Sequence, residues 1–251
     1  MHGSIPIKKP EQIQAMREGG RILKETLEII SKAVKPGIST FELDQIAEKN
    51  ILRYKGAKPG FKGYKGFPAT LCTSVNEQVV HGIPSKNVIL ADGDIVGIDC
   101  GVYFKGLYTD ACLTVLVGNV AHEVRHFVKI TKNALSQAVK QVRPGGCIGD
   151  ISAVIQKILE DQGYSPVVEC TGHGVGANLH EPPEILNAGK RGTGPIMKPG
   201  MTLAIEPISI MGKRGVFTGK DGWTIVSSDG SLSAHFEHTV LVTIDGYEIL
   251  V

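Results

Sequence analysis

Gly93-Asp94-Ile95-Val96-Gly97-Ile98-Asp99 and Gly200-Met201-Thr202-Leu203-Ala204-Ile205-Glu206 each run from a glycine through an apolar, strand-like segment into a carboxylate six residues on. A second acid follows each of them on another such run. Asp110 stands in Tyr108-Thr109-Asp110-Ala111-Cys112-Leu113-Thr114-Val115, and Glu237 in Phe236-Glu237-His238-Thr239-Val240-Leu241-Val242. Four carboxylates thus occupy strand positions where a pleated, half-buried surface favours Val or Ile. A buried acid is costly unless a cation compensates it. Lysines and arginines lie mainly outside these runs, so a bound divalent ion is the economical partner. The plainer reading, edge-strand acids facing solvent, does not account for matched positions in both halves.

The matching extends along the chain. Val34-Lys35-Pro36-Gly37 is echoed by Val142-Arg143-Pro144-Gly145 at an offset of about 108 residues. Before the first Pro-Gly, Ile13, Met16, Gly20, Leu23 and Leu27 follow a helical period opened by Pro10, and His122 to Val142 shows the same period before the second. After them, Leu43, Ile46, Ala47 and Ile51 correspond to Ile151, Val154, Ile155 and Leu159. Each half reads helix, Pro-Gly turn, helix, strands. The expected architecture is α/β (α+β): one domain over residues 1–251 made of two related halves, about 10–118 and 119–251, with a pseudo-twofold mixed or antiparallel sheet and helices on its outer face.

At 251 residues and 42% hydrophobic content the chain can bury a large core. A net charge of only +2 provides no strong field for nucleic acid or anionic membrane. No apolar run is long enough to span a bilayer, and Met1 to Pro10 has no apolar signal core, so a cytoplasmic location is expected. The five cysteines, at 72, 100, 112, 147 and 170, contain no Cys-x-x-Cys pair and read as reduced thiols.

Asp99 and Asp110 flank a segment that reads as a hairpin turning near Lys105-Gly106, which brings the two acids close together. Two adjacent carboxylates repel unless a cation lies between them. Glu206 and Glu237 repeat the arrangement, and Thr171-Gly172-His173-Gly174 offers an imidazole bracketed by glycines that allow close backbone approach. Four acids and one histidine suffice for two ions only if carboxylates bridge, which places the ions about 3.5 to 4 Å apart. The oxygen-rich, thiolate-free set favours Mn, Fe or Co, with Zn admissible.

Together with His81 in Val80-His81-Gly82-Ile83-Pro84 and His180 in Asn178-Leu179-His180-Glu181-Pro182-Pro183, this ordered set closely resembles the type I methionine aminopeptidases. The resemblance implies the pita-bread fold, two divalent ions and removal of initiator methionine from nascent chains whose second residue is small. It implies that Asp99 chelates one ion, His173 completes the other, Asp110 and Glu237 bridge, and Glu206 binds metal and handles the proton of the attacking water. His81 and His180 would flank the substrate and stabilise the oxyanion, while Tyr64, Phe67, Cys72 and Trp223 would surround the methionine side chain. Phe61 and Leu179 are expected only to line the site. His2, His122, His126, His235 and His238 read as ordinary surface or core histidines. By the same resemblance a monomer is expected.

The lysines and aromatics interleaved over 54–68 could contact ribosomal RNA transiently, but four lysines are a small footprint for a specific nucleic-acid site. Two rival readings are a proline-directed aminopeptidase or prolidase, which usually carries a large extra N-terminal domain, and a non-catalytic pita-bread scaffold, which would typically have lost ligands.

Overall fold

A computed structural model of the protein describes residues 4–251; His2 lies outside the described residues. Helix α1 (Pro10–Ala33) starts with proline at its first position, where no N–H is needed. It buries Met16, Leu23, Leu27 and Ile30 along one stripe. Helix α2 (Thr40–Leu52) is closed by a capping box: Ser39 N–H donates to Glu42 Oε2 at 2.9 Å and Glu42 N–H donates to Ser39 Oγ at 3.2 Å. In the second half α3 (His122–Val139) precedes α4 (Ile148–Glu160), whose start is held by Cys147 N–H donating to Asp150 Oδ2 at 3.0 Å. The two caps stand about 108 residues apart, the offset of the sequence repeat.

The first half adds strands β1 (Ala57–Pro59), β2 (Leu71–Val75), β3 (Gln78–Val80), β4 (Ile95–Phe104) and β5 (Leu107–Leu116). The second adds β6 (Ser165–Pro166), β7 (Gly172–Gly174), β8 (Glu181–Ile185), β9 (Thr202–Ile205) and β10 (Ile208–Ile210). It continues with β11 (Val216–Thr218), β12 (Ile225–Ser227), β13 (Ser233–His235), β14 (His238–Val242) and β15 (Tyr247–Ile249). Every pairing among them is antiparallel. The strands fall into four hydrogen-bonded sheets, so the expected sheet is subdivided. One break has a plain cause: Pro207, between β9 and β10, has no N–H to continue a ladder.

β4 and β5 form the expected hairpin. Lys105 and Gly106 make its two-residue turn with φ of 49° and 85°, the positive values such turns require. Helices α1 and α2 cover this hairpin through a core that includes Leu23, Ile30, Leu43, Ile51, Val96 and Ile98. Helices α3 and α4 cover the second half through Phe127, Leu135, Ile151, Ile155, Leu203 and Val240. Truncating a fully buried residue such as Leu43 to alanine costs about 2–5 kcal/mol at such a site.

The two halves meet along a seam of threonines. Asp110 N–H donates to Thr239 Oγ1 at 3.0 Å, and that hydroxyl donates to Asp110 C=O at 2.7 Å. Thr114 Oγ1 likewise accepts from His235 N–H at 2.9 Å and donates to His235 C=O at 2.8 Å. Glu237 N–H donates to Cys112 C=O at 2.8 Å. These bonds set β5 against β13 and β14, and they bring the acids of both halves to one place. No helix among the described residues is long and apolar enough to cross a membrane.

Candidate metal centre

Alternation along the β4–β5 hairpin decides where its acids point. Asp99 stands opposite Cys112 and Asp110 opposite Gly101, so both side chains emerge diagonally on the same face. The second pair is placed differently from the expected strand positions. β9 ends at Ile205 and β14 begins at His238, and these two residues pair, so Glu206 and Glu237 lie one step beyond the ladder, at strand breaks. Freed from the pleat at Pro207, they turn toward the first pair. His173 arrives on β7, where glycine on either side is a steric necessity: a Cβ on Gly172 would lie 2.5 Å from Ala204 O, and one on Gly174 2.2 Å from Pro182 O.

One cavity of about 290 Å³ is lined by all five expected ligands and by His81, His180, Tyr64, Phe67, Cys72 and Trp223. Ligand atoms of Asp110, His173 and Glu237 lie within 4.8 Å of one another. His173 Nε2 stands 3.5 Å from Glu206 Oε1 and 4.0 Å from Asp110 Oδ2. Its Nδ1 is 2.9 Å from Gly174 C=O; with Nδ1–H donating there, the lone pair of Nε2 faces the acids.

Burial drives these carboxyls toward their neutral forms. It lifts Asp99 to about 7, with Glu206 adding to the effect and His235 opposing it. Glu206 is likewise raised to about 7 by burial. Asp110 and Glu237 are pushed well above the carboxylate range, first by burial and then by their acidic neighbours. Among the described residues no Lys or Arg is ion-paired with any of the four. Asp99 Oδ1, Asp110 Oδ1 and Glu237 Oε1 are buried with no hydrogen-bond partner. Orphaned acceptors in a crowded acid cluster, with an imidazole lone pair turned toward them, fit divalent metal; nothing else among the described residues satisfies them.

The two flanking histidines are neutral at pH 7. Dehydration in the cleft and the neighbouring His235 lower His81 to about 4. Burial, with His173 and Lys65, lowers His180 to about 3. Both residues are exposed to solvent at the cleft, which does not change their neutrality at pH 7, since even an unperturbed imidazole titrates near 6.5. His180 Nδ1 lies 3.0 Å from the Tyr64 hydroxyl, with the two rings stacked.

The apolar end of the cavity is built by Phe67 and Trp223, whose rings meet edge to face at 5.2 Å, with Cys72, Phe61 and Leu179 buried around them. Cys72 pairs with Asp99 across β2 and β4. Burial and that carboxylate push its thiol up, so it stays protonated and soft. One histidine read as ordinary belongs here after all: His235 lines the same cavity and is buried. Its position two residues before Glu237 was the only sequence signal that could have found it. His238 bonds Val251 C=O through Nδ1 at 2.8 Å, and His126 lies near Gln162 at the surface; both keep their ordinary reading.

A family profile described as Metallopeptidase family M24 matches residues 14–244. The methionine aminopeptidase of Clostridium acetobutylicum is 45% identical over 246 residues, covering 98% of each chain. The crystal structure of methionine aminopeptidase from Thermotoga maritima superposes with a TM-score of 0.96 at 41% identity, again covering 98% of each chain. A prolidase from Pyrococcus horikoshii reaches a TM-score of 0.78 at 21% identity, and this chain covers only 62% of it, a likeness of fold alone. Fold and site therefore define a metal-dependent hydrolase of the pita-bread type. The chain belongs to metallopeptidase family M24 and, within it, to the methionine aminopeptidases.

Proposed function

We propose that this enzyme removes the initiator methionine from nascent polypeptides whose second residue is small, using two divalent ions held by Asp99, Asp110, His173, Glu206 and Glu237. The observation that carries the proposal is the junction, within one cavity, of a buried acid and imidazole cluster with an apolar aromatic end containing a protonated thiol. In this reading Asp110 and Glu237 would be shared between the ions, and the oxygen-rich donor set would favour Mn, Fe or Co over Zn. The ions would supply an activated water and a polarised carbonyl. The two halves, about 10–118 and 119–251, act as one catalytic domain, since each contributes acids to the same cavity.

The chain's own groups do the rest. Phe67, Trp223, Cys72 and Tyr64 receive the thioether side chain and exclude water from it. The scissile bond then lies between the apolar end and the acids. With the Tyr64 hydroxyl donating to Nδ1 of His180, the imidazole proton sits at Nε2, ready to donate to the carbonyl oxygen as negative charge develops there. His81, also neutral, holds the peptide from the other side. Glu206 accepts the proton of the attacking water and passes it to the departing amine, a role that its place between the acid cluster and His173 allows. A monomeric, cytoplasmic enzyme with transient ribosome contact completes the proposal.

The test is release of methionine from Met-Ala-Ser, compared with a Xaa-Pro tripeptide, by protein stripped with chelator and resupplied with Mn, Co, Fe or Zn. Metal-dependent cleavage of the methionine peptide alone is expected. Cleavage of the proline peptide would move the assignment to the prolidase-like relatives, and no cleavage with any metal would leave a scaffold.

A further inference from the structure

The ligand set does not account for His235. Its side chain is only 5% exposed, and among the described residues its Nε2 is buried without a hydrogen-bond partner. A neutral imidazole with a bare polar nitrogen in a core is costly, and nothing about core packing calls for one. That nitrogen stands 3.5 Å from Glu206 Oε2, while the other oxygen of the same carboxylate stands 3.5 Å from His173 Nε2. Glu206 is thus bracketed by two imidazoles, one on each oxygen.

The backbone beneath His235 is fixed. Its N–H donates to Thr114 Oγ1, and its C=O accepts from that hydroxyl at 2.8 Å and from Cys112 Sγ–H at 3.6 Å. The ring therefore has a fixed anchor, and a movement of Glu206 by a few tenths of an ångström closes the gap to hydrogen-bond length.

We propose that His235 is a positioning residue for Glu206: as the Nε2–H tautomer it donates to Oε2 and fixes the plane of the carboxylate, so that Oε1 is held toward the metal centre. The inference rests on the reading of Glu206 as a metal-binding, proton-handling group. A carboxylate that must do both jobs is free to rotate about its terminal torsion unless a donor restrains it, and such outer partners typically change metal affinity or activity by about 10- to 100-fold. The geometry points to this role rather than to a sixth ligand. The unpartnered nitrogen of His235 faces the outer oxygen of Glu206, whereas the other oxygen of that carboxylate is the one turned to His173.

The experiment compares wild type, His235→Ala and His235→Gln by Mn²⁺ titration calorimetry and by steady-state hydrolysis of Met-Ala-Ser. Glutamine can present an N–H near the place of Nε2 and keeps the core filled. The expected result for His235→Ala is an unchanged Mn²⁺ stoichiometry, a KM within about threefold and a kcat lowered by about 10- to 100-fold, with His235→Gln recovering most of that loss. Wild-type kcat in His235→Ala would overturn the inference. Loss of one Mn²⁺ per chain in His235→Gln would overturn it in favour of a ligand role. Should the alanine variant fail to fold, the glutamine variant decides alone: near-normal kcat and stoichiometry support positioning, and loss of either refutes it. A wild-type protein that binds no Mn²⁺ would remove the metal centre itself and this inference with it, whereas normal wild-type binding with an indifferent His235→Ala removes only the inference.

Discussion

Replacing Lys8 by methionine should be among the most destabilising single changes outside the metal centre. Lys8 Nζ lies 2.7 Å from Glu181 Oε2, and the two side chains are only 4% and 3% exposed. Burial lowers the Lys8 pKa, and the hydrogen bond and charge of Glu181 oppose that fall, so the Lys8 charge depends on its partner. The pair ties the chain before α1 to the loop that carries His180. Lys8 N–H donates to Gly200 C=O at 2.8 Å, and Glu181 Oε1 accepts from Asn178 N–H at 3.0 Å. Methionine matches the lysine stem in length, and Gly176 provides the channel: a Cβ there would come within 2.3 Å of Lys8 Cε. The substitution therefore strands a buried carboxylate without opening a cavity. Breaking one partner of such a pair costs about 3–5 kcal/mol. For a chain of this size each kcal/mol moves Tm by roughly 2–4 °C, so a fall of roughly 6–20 °C is expected. Calorimetric melting of chelator-treated protein, which removes stabilisation by bound metal, measures it. Adding Glu181→Gln should restore most of the loss, because the amide still accepts from Asn178 and no charge is left unpaired. A Tm drop below about 2 °C in Lys8→Met, or strict additivity in the double variant, would refute the reasoning.

Asp110→Asn should lower kcat/KM on Met-Ala-Ser by more than about 100-fold and reduce the number of Mn²⁺ bound if, as proposed, its carboxylate serves both ions; intact activity would refute the bridge. His180→Ala should cut kcat by about 100-fold or more with metal content unchanged, since it acts on developing charge; parallel loss of metal, read by elemental analysis, would make it a ligand. The chelator-stripped protein should become less stable as pH rises from 4 to 7. Burial holds Asp99 and Glu206 at about 7 in the fold, against about 3.9 and 4.3 in the unfolded chain. Folding then takes up protons, and the stabilisation, complete below about pH 4, is lost as pH rises through 7. Denaturant midpoints across that range, with and without Mn²⁺, give the check; a rise of metal-free stability with pH would contradict the burial argument.

Much of the site is legible in the sequence alone. Carboxylates at Asp99, Asp110, Glu206 and Glu237 stood out because an acid in an apolar run violates the local pattern, and a violation repeated in both halves points to a shared cation. Pro-Gly pairs at Pro36 and Pro144 stood out because turns and helix starts depend on near-neighbour chemistry. The helix caps at Ser39 and Cys147 each follow one of those prolines by three residues. The β4–β5 hairpin was readable for the same reason: Lys105-Gly106 meets a local backbone requirement.

Contacts between residues remote in sequence required the tertiary structure. His235 looked like any buried or surface histidine, because its meaning comes from Glu206 and from Thr114, a partner 121 residues away. Lys8 showed nothing in sequence of its partner Glu181, 173 residues on. Glu206 and Glu237 left the pleat where Pro207 interrupts the ladder, a displacement that strand alternation could not forecast. Sequence by itself determined which side chains break the apolar pattern, since that is a local property. Only the tertiary structure decided which of them meet, because the desolvation and charge that turn an acid or imidazole into part of a metal centre arise from neighbours the chain brings from afar.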